Sequence, residues 1–191
     1  MPILNECRDR ILLHSKISHL LERMDAKELR VCRSLNRASE YWLIQRFFAS
    51  VSRLGDGIFW YALCAVLPYA YGKEGFQQMF HVLLTAAVGV LIYKWLKTTL
   101  VRERPFITCD NIKQAARALD QYSFPSGHTM HAVSFGIMFS YYLPQFFWLI
   151  WAFSGLVALS RVVLGLHYPT DVVAGALLGA GLASLSMSLW A

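Results

Sequence analysis

The sequence predicts an all-α fold: a multi-pass transmembrane helical bundle of about five spans, with an amphipathic N-terminal helical segment. Of the 191 residues, 56% are hydrophobic and 14% are aromatic, and the mean hydropathy is +0.41, which is too apolar for an ordinary soluble domain of this length. From residue 129 to the end, only Arg161 and Asp171 carry a formal charge. A soluble bundle needs polar helix faces there, so this alternative is excluded.

Five apolar, helix-permissive runs supply the predicted spans. A membrane helix needs roughly 20 residues, and some of these runs are nearer 15 in length. The absence of charge in the last third still favours a membrane bundle over a soluble one. The runs lie at about residues 57–71, 76–96, 128–143, 146–163 and 170–190.

Small and aromatic residues mark how these helices are expected to pack and where they end. Gly175, Gly179 and Ala183 recur every four residues, which predicts a helix-packing face. Tryptophans near the ends of membrane runs are expected at the lipid–water interface. These tryptophans are Trp42, Trp60, Trp95, Trp148 and Trp190.

The first 56 residues differ from the rest, which predicts an N-terminal segment (1–56) and a transmembrane domain (57–191). The segment is rich in charged residues and carries apolar residues at helical intervals. That pattern indicates an amphipathic helix lying on the bilayer or against the bundle, or else a helical cap that touches no lipid. The apolar stripe consists of Leu13, Ile17, Leu20, Leu21 and Met24.

Three polar clusters interrupt the apolar part of the chain. Written as patterns they are K-x6-R-P, P-S-G-H and S-R-x5-H-x3-D, in this order. With five spans, all three fall on one side of the membrane. The clusters comprise Lys97 with Arg104 and Pro105; Pro125, Ser126, Gly127 and His128; and Ser160, Arg161, His167 and Asp171.

The three ordered patterns resemble those of the type 2 phosphatidic acid phosphatase superfamily, over roughly residues 97–171. The resemblance implies that His167 attacks phosphorus to form a phosphohistidine and that Asp171 orients it. It also implies that His128 protonates the leaving group and then activates water. The residues implied to hold the phosphoryl oxygens are Lys97, Arg104, Ser126, Gly127 and Arg161.

The residue types support a phosphate pocket independently of the resemblance. Guanidinium groups offer a fixed fork of N–H donors that suits phosphate oxygens. Lys97 and Arg104 are seven apart and would share a helix face if that helix ran on to Pro105, where proline would stop it. Ser126 is a good N-cap residue, and a helix start there would bind an anion.

The third cluster supplies the candidate nucleophile. His167 and Asp171 are four residues apart, so the carboxylate is able to accept a hydrogen bond from one ring nitrogen and leave the other free to attack. Histidine can act as a covalent nucleophile.

Other interpretations of these residues remain possible from the sequence. Arg104 with Pro105 also fits a helix stop, and Arg161 with Asp171 also fits a structural ion pair. His131 lies three residues after His128, a spacing seen in metal sites, although no third ligand is apparent. The site has few carboxylates and many cations, so no metal and no other cofactor is expected.

The predicted function is metal-independent hydrolysis of a lipid phosphomonoester or diphosphate. Phosphatidic acid, phosphatidylglycerophosphate and undecaprenyl diphosphate are the candidate substrates, and the lipid bilayer is the expected surrounding. Lipid phosphotransfer and non-catalytic binding of a lipid phosphate are the alternatives. No nucleic-acid partner is expected.

The expected location is the cytoplasmic membrane of a bacterium, because the short chain without an inserted domain looks like the small bacterial members. The positive-inside rule would place the site in the cytoplasm. Bacterial members of the family that the motifs resemble usually act at the outer face, and we expect the periplasmic or extracellular face. Cys7, Cys32, Cys64 and Cys109 form no C-x-x-C pair and are predicted to be free thiols. The long connection 106–124 is a candidate lid.

Overall fold

A computed structural model describes residues 28–190 of the chain, and every regular element within them is helical. The predicted all-α fold is thereby confirmed. The predicted apolar stripe from Leu13 to Met24 lies outside the described residues. The helices are α1 (28–36), α2 (Trp42–Arg53), α3 (Phe59–Leu100), α4 (Pro105–Thr108), α5 (Gly127–Tyr142), α6 (Phe147–Val163) and α7 (Pro169–Trp190).

Helix α3 contains all but the first two residues of the predicted runs 57–71 and 76–96, and it folds back on itself at Gly72. Gly72 has φ 57° and ψ −124°, a conformation that glycine adopts without a steric penalty. A Cβ atom on Gly75 would lie 2.0 Å from the carbonyl oxygen of Leu67. In a straight helix, residues eight apart lie about 12 Å apart along the axis. The limbs 59–71 and 73–100 therefore run in opposite directions.

Three helical stretches of the described chain are long and apolar enough to cross a membrane. They are Trp42–Thr108, which includes both limbs of α3, Pro144–Val163 and Pro169–Trp190, with mean hydropathies of 1.7, 1.8 and 1.8. Helix α5 has 16 residues, is shorter, and is mostly buried. All five predicted runs are helical, and the bundle is a multi-pass membrane protein.

Helix α5 lies at the centre, packed against α3, α6 and α7. The indole of Trp60 sits among the rings of Phe135, Phe139 and Phe153, at centroid distances of 5.0, 6.4 and 5.6 Å. Because Trp60 is only 2% exposed, its prediction as an interface aromatic is wrong. The aromatic contacts of Trp60 in the core between the helices hold its ring away from the membrane interface. Large exposed surfaces are instead shown by Trp42, Trp95, Trp148 and Trp190.

The predicted packing face on α7 meets α5 backbone against backbone. Gly175, Gly179 and Ala183 are all buried. A Cβ atom on Gly175 would lie 2.4 Å from the carbonyl oxygen of Ser126, and one on Gly179 would lie 2.2 Å from that of Met130. Only glycine permits this approach, so the predicted packing face is confirmed.

The chain between Lys97 and Arg104 does not continue as a helix. Helix α3 ends at Leu100, and Val101 takes a left-handed conformation with φ 41°. Pro105 then begins the short helix α4 instead of stopping α3. The expectation that Lys97 and Arg104 share one helix face is therefore wrong. The extended segment is held by Ser123, whose backbone N–H donates to the carbonyl of Arg102 at 2.8 Å.

We predict that Gly179→Ala lowers the stability of the bundle, because the added methyl group must displace backbone of α5. Overpacking of this kind costs about 1–3 kcal/mol. The midpoint of thermal unfolding in detergent measures the effect. Gly181→Ala is the matched control, since a Cβ atom there meets nothing within 4 Å. Equal midpoints for the two variants would contradict the inference that close packing of the α7 glycines on α5 stabilises the bundle.

Candidate active site

The structure brings the three polar clusters together at one end of the bundle. Lys97 lies in the last turn of α3, His128 in the first turn of α5, Arg161 in the last turn of α6 and Asp171 in the first turn of α7. His167 lies in the short connection between α6 and α7. Four helix ends thus supply groups that are far apart in sequence.

His167 lies beside Asp171 but is not hydrogen-bonded to it. The distance from its Nδ1 to Asp171 Oδ2 is 3.4 Å, and Nδ1 has no hydrogen-bond partner among the described residues. Asp171 Oδ2 instead accepts from the backbone N–H of Tyr168 at 2.9 Å. Catalytic hydrogen bonds are often long without substrate and tighten in the complex. The opposite ring nitrogen, Nε2, lies 3.4 Å from Arg104 Nη1.

Arg102 holds the other oxygen of Asp171 and was not identified from the sequence. Its Nη1 lies 2.5 Å from Asp171 Oδ1, its guanidinium stacks 4.0 Å from the centre of the Tyr168 ring, and it is buried. Glu28 Oε2 lies 3.5 Å from Arg102 Nη2 and accepts from the Thr170 hydroxyl at 2.8 Å. Two carboxylates thus flank the Arg102 guanidinium.

Lys97 and Arg104 are buried and are held by the connection that precedes α5. Lys97 Nζ donates to the carbonyl of Tyr122 at 2.8 Å and lies 3.2 Å from Asp120 Oδ2. Arg104 Nε donates to the carbonyl of Asp120 at 3.0 Å, and its Nη1 donates to that of Leu166 at 2.8 Å. The connection therefore fixes both cations. A lid movement of this segment stays a prediction.

Arg161 is buried at the end of α6 with unused donor capacity. Its Nη1 donates to the hydroxyl of Ser52 on α2, and its Nε has no partner among the described residues. A buried guanidinium N–H without an acceptor is costly. Such a donor suits an anion that enters the site.

Ser126 and Gly127 form the N-terminus of α5. The hydroxyl of Ser126 accepts from the backbone N–H of Thr129, so its prediction as an N-cap is confirmed. The backbone N–H of Ser126 donates to the carbonyl of Asp171 at 3.0 Å. A Cβ atom on Gly127 would lie 3.3 Å from the Tyr93 ring. The helix start is therefore fixed directly against the third cluster.

The ring of His128 is hydrogen-bonded through Nε2 to the carboxylate of Asp56. His131, one turn further along α5, packs against the rings of Tyr93 and Phe135. Among residues 28–190 no three His, Cys, Asp or Glu side chains are grouped as a metal site would require. The aromatic packing favours a core role for His131.

The environment of His167 disfavours protonation. Burial, followed by the nearby cations Arg161, Arg104 and Lys97, holds the pKa of His167 well below its usual value of 6.5. The imidazole is therefore neutral at physiological pH, as a nucleophile must be.

A cavity of about 380 Å³ opens from His128 into the apolar part of the bundle. It lies between the two limbs of α3 and α5, with Asp56, Asp120 and His128 at its polar end. Its apolar lining includes Trp60, Cys64, Leu83, Ala86, Ala87, Val90 and Phe135.

The fold and the site define a helical membrane protein in which the buried cations Lys97, Arg104 and Arg161 are grouped with the buried His167. The sequence profile of the PAP2 superfamily matches residues 78–191. The chain belongs to the PAP2 superfamily, which confirms the resemblance seen in its motifs.

Similar proteins include two undecaprenyl-diphosphatases. The chain is 32% identical to undecaprenyl-diphosphatase BcrC of Bacillus subtilis over 116 residues, which cover 59% of this chain and 58% of that protein. It is 27% identical to undecaprenyl-diphosphatase of Sulfolobus acidocaldarius over 109 residues, 56% and 53% of the two chains. The chain spans about half the length of the curated relatives that it matches.

The fold also matches a solved structure over nearly its whole length. This is the transmembrane PAP2-type phosphatidylglycerolphosphate phosphatase of Bacillus subtilis, with a TM-score of 0.73 and 22% identity, covering 95% of this chain and 94% of the other. At this identity the likeness establishes the fold.

Proposed function

We propose that this protein hydrolyses a phosphomonoester or diphosphate on a membrane lipid, without a metal ion, through a phosphohistidine at His167. The observation that carries the proposal is the surrounding of His167. A neutral imidazole lies with Nδ1 3.4 Å from a carboxylate and Nε2 3.4 Å from the Arg104 guanidinium. A nucleophile at the centre of a cationic pocket suits attack on a phosphate dianion.

The cations stabilise negative charge on the phosphoryl group. Arg104, Lys97 and Arg161 are each at most 4% exposed, so their attraction to an anion is screened less by water than on a surface. The N-terminus of α5, at Gly127, adds the positive end of a helix dipole to the same pocket. Their combined charge replaces the role that a divalent cation has in other phosphatases.

The proposed reaction has two steps, in both of which His128 moves a proton. First, His167 Nε2 attacks phosphorus, the bond to the leaving oxygen breaks, and that oxygen takes a proton from His128. Next, water attacks phosphorus and gives a proton to His128. The phosphorus–nitrogen electron pair returns to His167, and phosphate leaves. Asp171 stabilises the positive charge that His167 carries in the intermediate.

A lipid substrate is supported by the cavity and by the relatives. The apolar cavity beside His128 has room for part of a hydrocarbon chain while the phosphate stays among the cations. Two relatives are named undecaprenyl-diphosphatases. Phosphatidic acid, phosphatidylglycerophosphate and undecaprenyl diphosphate are therefore the substrates that we propose to compare.

We expect protein purified in detergent to release free phosphate from at least one of these three lipids, with EDTA present. His167→Ala should reduce the rate to background, because the nucleophile is lost. Measured phosphate release distinguishes the alternatives: release only when a second lipid is added would indicate phosphotransfer. Binding of the lipids without release or transfer would indicate a non-catalytic protein, and a magnesium requirement would contradict metal independence.

We further expect acid-labile label on the protein when the lipid phosphate carries ³²P. Because the pKa of His167 is held well below 6.5, the ring stays neutral as pH falls through 6.5, and the rate of label formation should not fall down to that pH. Rapid quenching at a series of pH values measures this rate. Label that persists in His167→Ala, or whose formation falls with an apparent pKa at or above 6.5, would contradict the assignment.

We also propose that the site faces the periplasm or the cell exterior. The buried cations of the pocket are explained by anion binding and by pairing with Asp171. They therefore do not indicate which side of the membrane the site faces, and the positive-inside rule is a weaker guide for this protein. Cys109 lies beyond α4 on the same side as the site. The hydrogen bond from Arg33 lowers the pKa of its thiol, which favours reaction with thiol reagents.

In cells carrying Cys109 as the sole cysteine, we expect a membrane-impermeant thiol reagent to label the protein without permeabilisation. Gel shift of the labelled protein measures the outcome. Cys109→Ser in the same background is the control for unspecific labelling. Labelling only after permeabilisation would place the site in the cytoplasm.

A further inference from the structure

Asp56 lies outside all three signature clusters, yet its carboxylate contacts the ring of His128. The two residues are 72 positions apart. An ionised carboxylate only accepts hydrogen bonds, so the ring must carry its proton on Nε2. The contact thus determines which tautomer of neutral His128 is present and leaves Nδ1 as the nitrogen that exchanges a proton.

The turn that carries Asp56 is fixed on both sides. Residues Leu54–Ile58 join α2 to α3, with Gly57 at φ 148°, where a side chain would be strained. Gly55 packs so closely on α6 that a Cβ atom would lie 2.8 Å from Val157 Cγ2. The indole N–H of Trp60 donates to the carbonyl of Gly55 at 3.2 Å. The backbone of the turn is therefore held beside His128, within reach of the Asp56 carboxylate.

The charges around His128 make a carboxylate partner necessary. Burial, followed by the cations Arg161 and Lys97, opposes a positive charge on the ring of His128. Asp56 is the carboxylate in contact with the ring. It also lines the cavity next to His128. A general acid that must be protonated amid cations needs such a neighbour.

We propose that Asp56 is the positioning residue of His128, so that the site contains two histidine–carboxylate pairs, one for each step of proton and phosphoryl transfer. The inference rests on the proposed function. Asp56 holds Nε2–H throughout. In the first step the Nδ1 proton moves to the leaving oxygen as the phosphorus–oxygen bond breaks, and in the second Nδ1 takes a proton from the attacking water.

A substrate with a sulfur leaving atom tests this role. Replacing the bridging oxygen of the lipid phosphate by sulfur gives a thiolate leaving group, whose conjugate acid has a pKa of about 8.5 and which needs little protonation. The lipid tested is whichever of the two phosphomonoesters, phosphatidic acid or phosphatidylglycerophosphate, is hydrolysed faster, because a diphosphate already has a phosphate as its leaving group. The rate of label formation on His167 in a single turnover isolates the first step from the second.

With Asp56→Asn we expect label formation from the oxygen ester to slow about 10- to 100-fold. Formation from the sulfur analogue should stay close to the wild-type rate. Asp56→Glu should recover much of the lost rate with the oxygen ester. Asp110→Asn, which removes an exposed carboxylate of the connection before α5, is the matched control and should behave as wild type with both substrates.

Two outcomes would overturn the inference. Equal slowing with both substrates would assign Asp56 a structural role only. A lower KM with unchanged kcat would indicate that Asp56 merely occupies the ring until substrate displaces it. Failure of the proposed function is distinguishable, because wild-type protein would then form no label on His167 with either substrate.

Discussion

The close contact between α5 and α7 is the constraint on which the site depends. Gly175 and Gly179 let the backbone of α7 reach the carbonyl oxygens of Ser126 and Met130. This approach sets the start of α7 beside the start of α5, where the backbone N–H of Ser126 bonds to the carbonyl of Asp171. A side chain in this contact would separate the start of α5 from Asp171 and His167. The packing of the apolar half of the bundle therefore also determines the geometry of its polar end.

Burial of so many cations at one end requires compensation, and the structure supplies it unevenly. Arg102 is fully matched by Asp171 and Glu28, and Lys97 by Asp120 and a carbonyl. Arg161 has only a hydroxyl partner, and its Nε has none among the described residues. These internal partners hold the matched cations in position at the site. The phosphate that we propose binds here would give the Nε of Arg161 the acceptor that it lacks among the described residues.

The sequence predicted the bundle well because hydropathy and length report directly on membrane helices. It also predicted the N-cap at Ser126 and the packing face of Gly175, Gly179 and Ala183, since both depend on local residue types. The prediction that one helix runs from Lys97 to Arg104 failed because nothing in the sequence indicates that Val101 takes a left-handed conformation. Arg102 was overlooked because it lies between two signature cations and its pairing with Asp171 spans 69 residues. Trp60 was misplaced because position near the end of a run does not distinguish a core ring from an interfacial one.

The residues before position 57 were predicted as a separate segment, and several of them contact the site. Glu28 approaches Arg102, Ser52 binds Arg161, and Asp56 binds His128. Each of these contacts reaches a different polar side chain of the site. Side chains of this kind are identified only when the tertiary structure shows their partners, since short polar residues in an amphipathic region are otherwise expected to face solvent. The site of this protein thus extends beyond its three motifs. Its charge balance is completed by the amino-terminal helices and by the turn that joins them to the membrane domain.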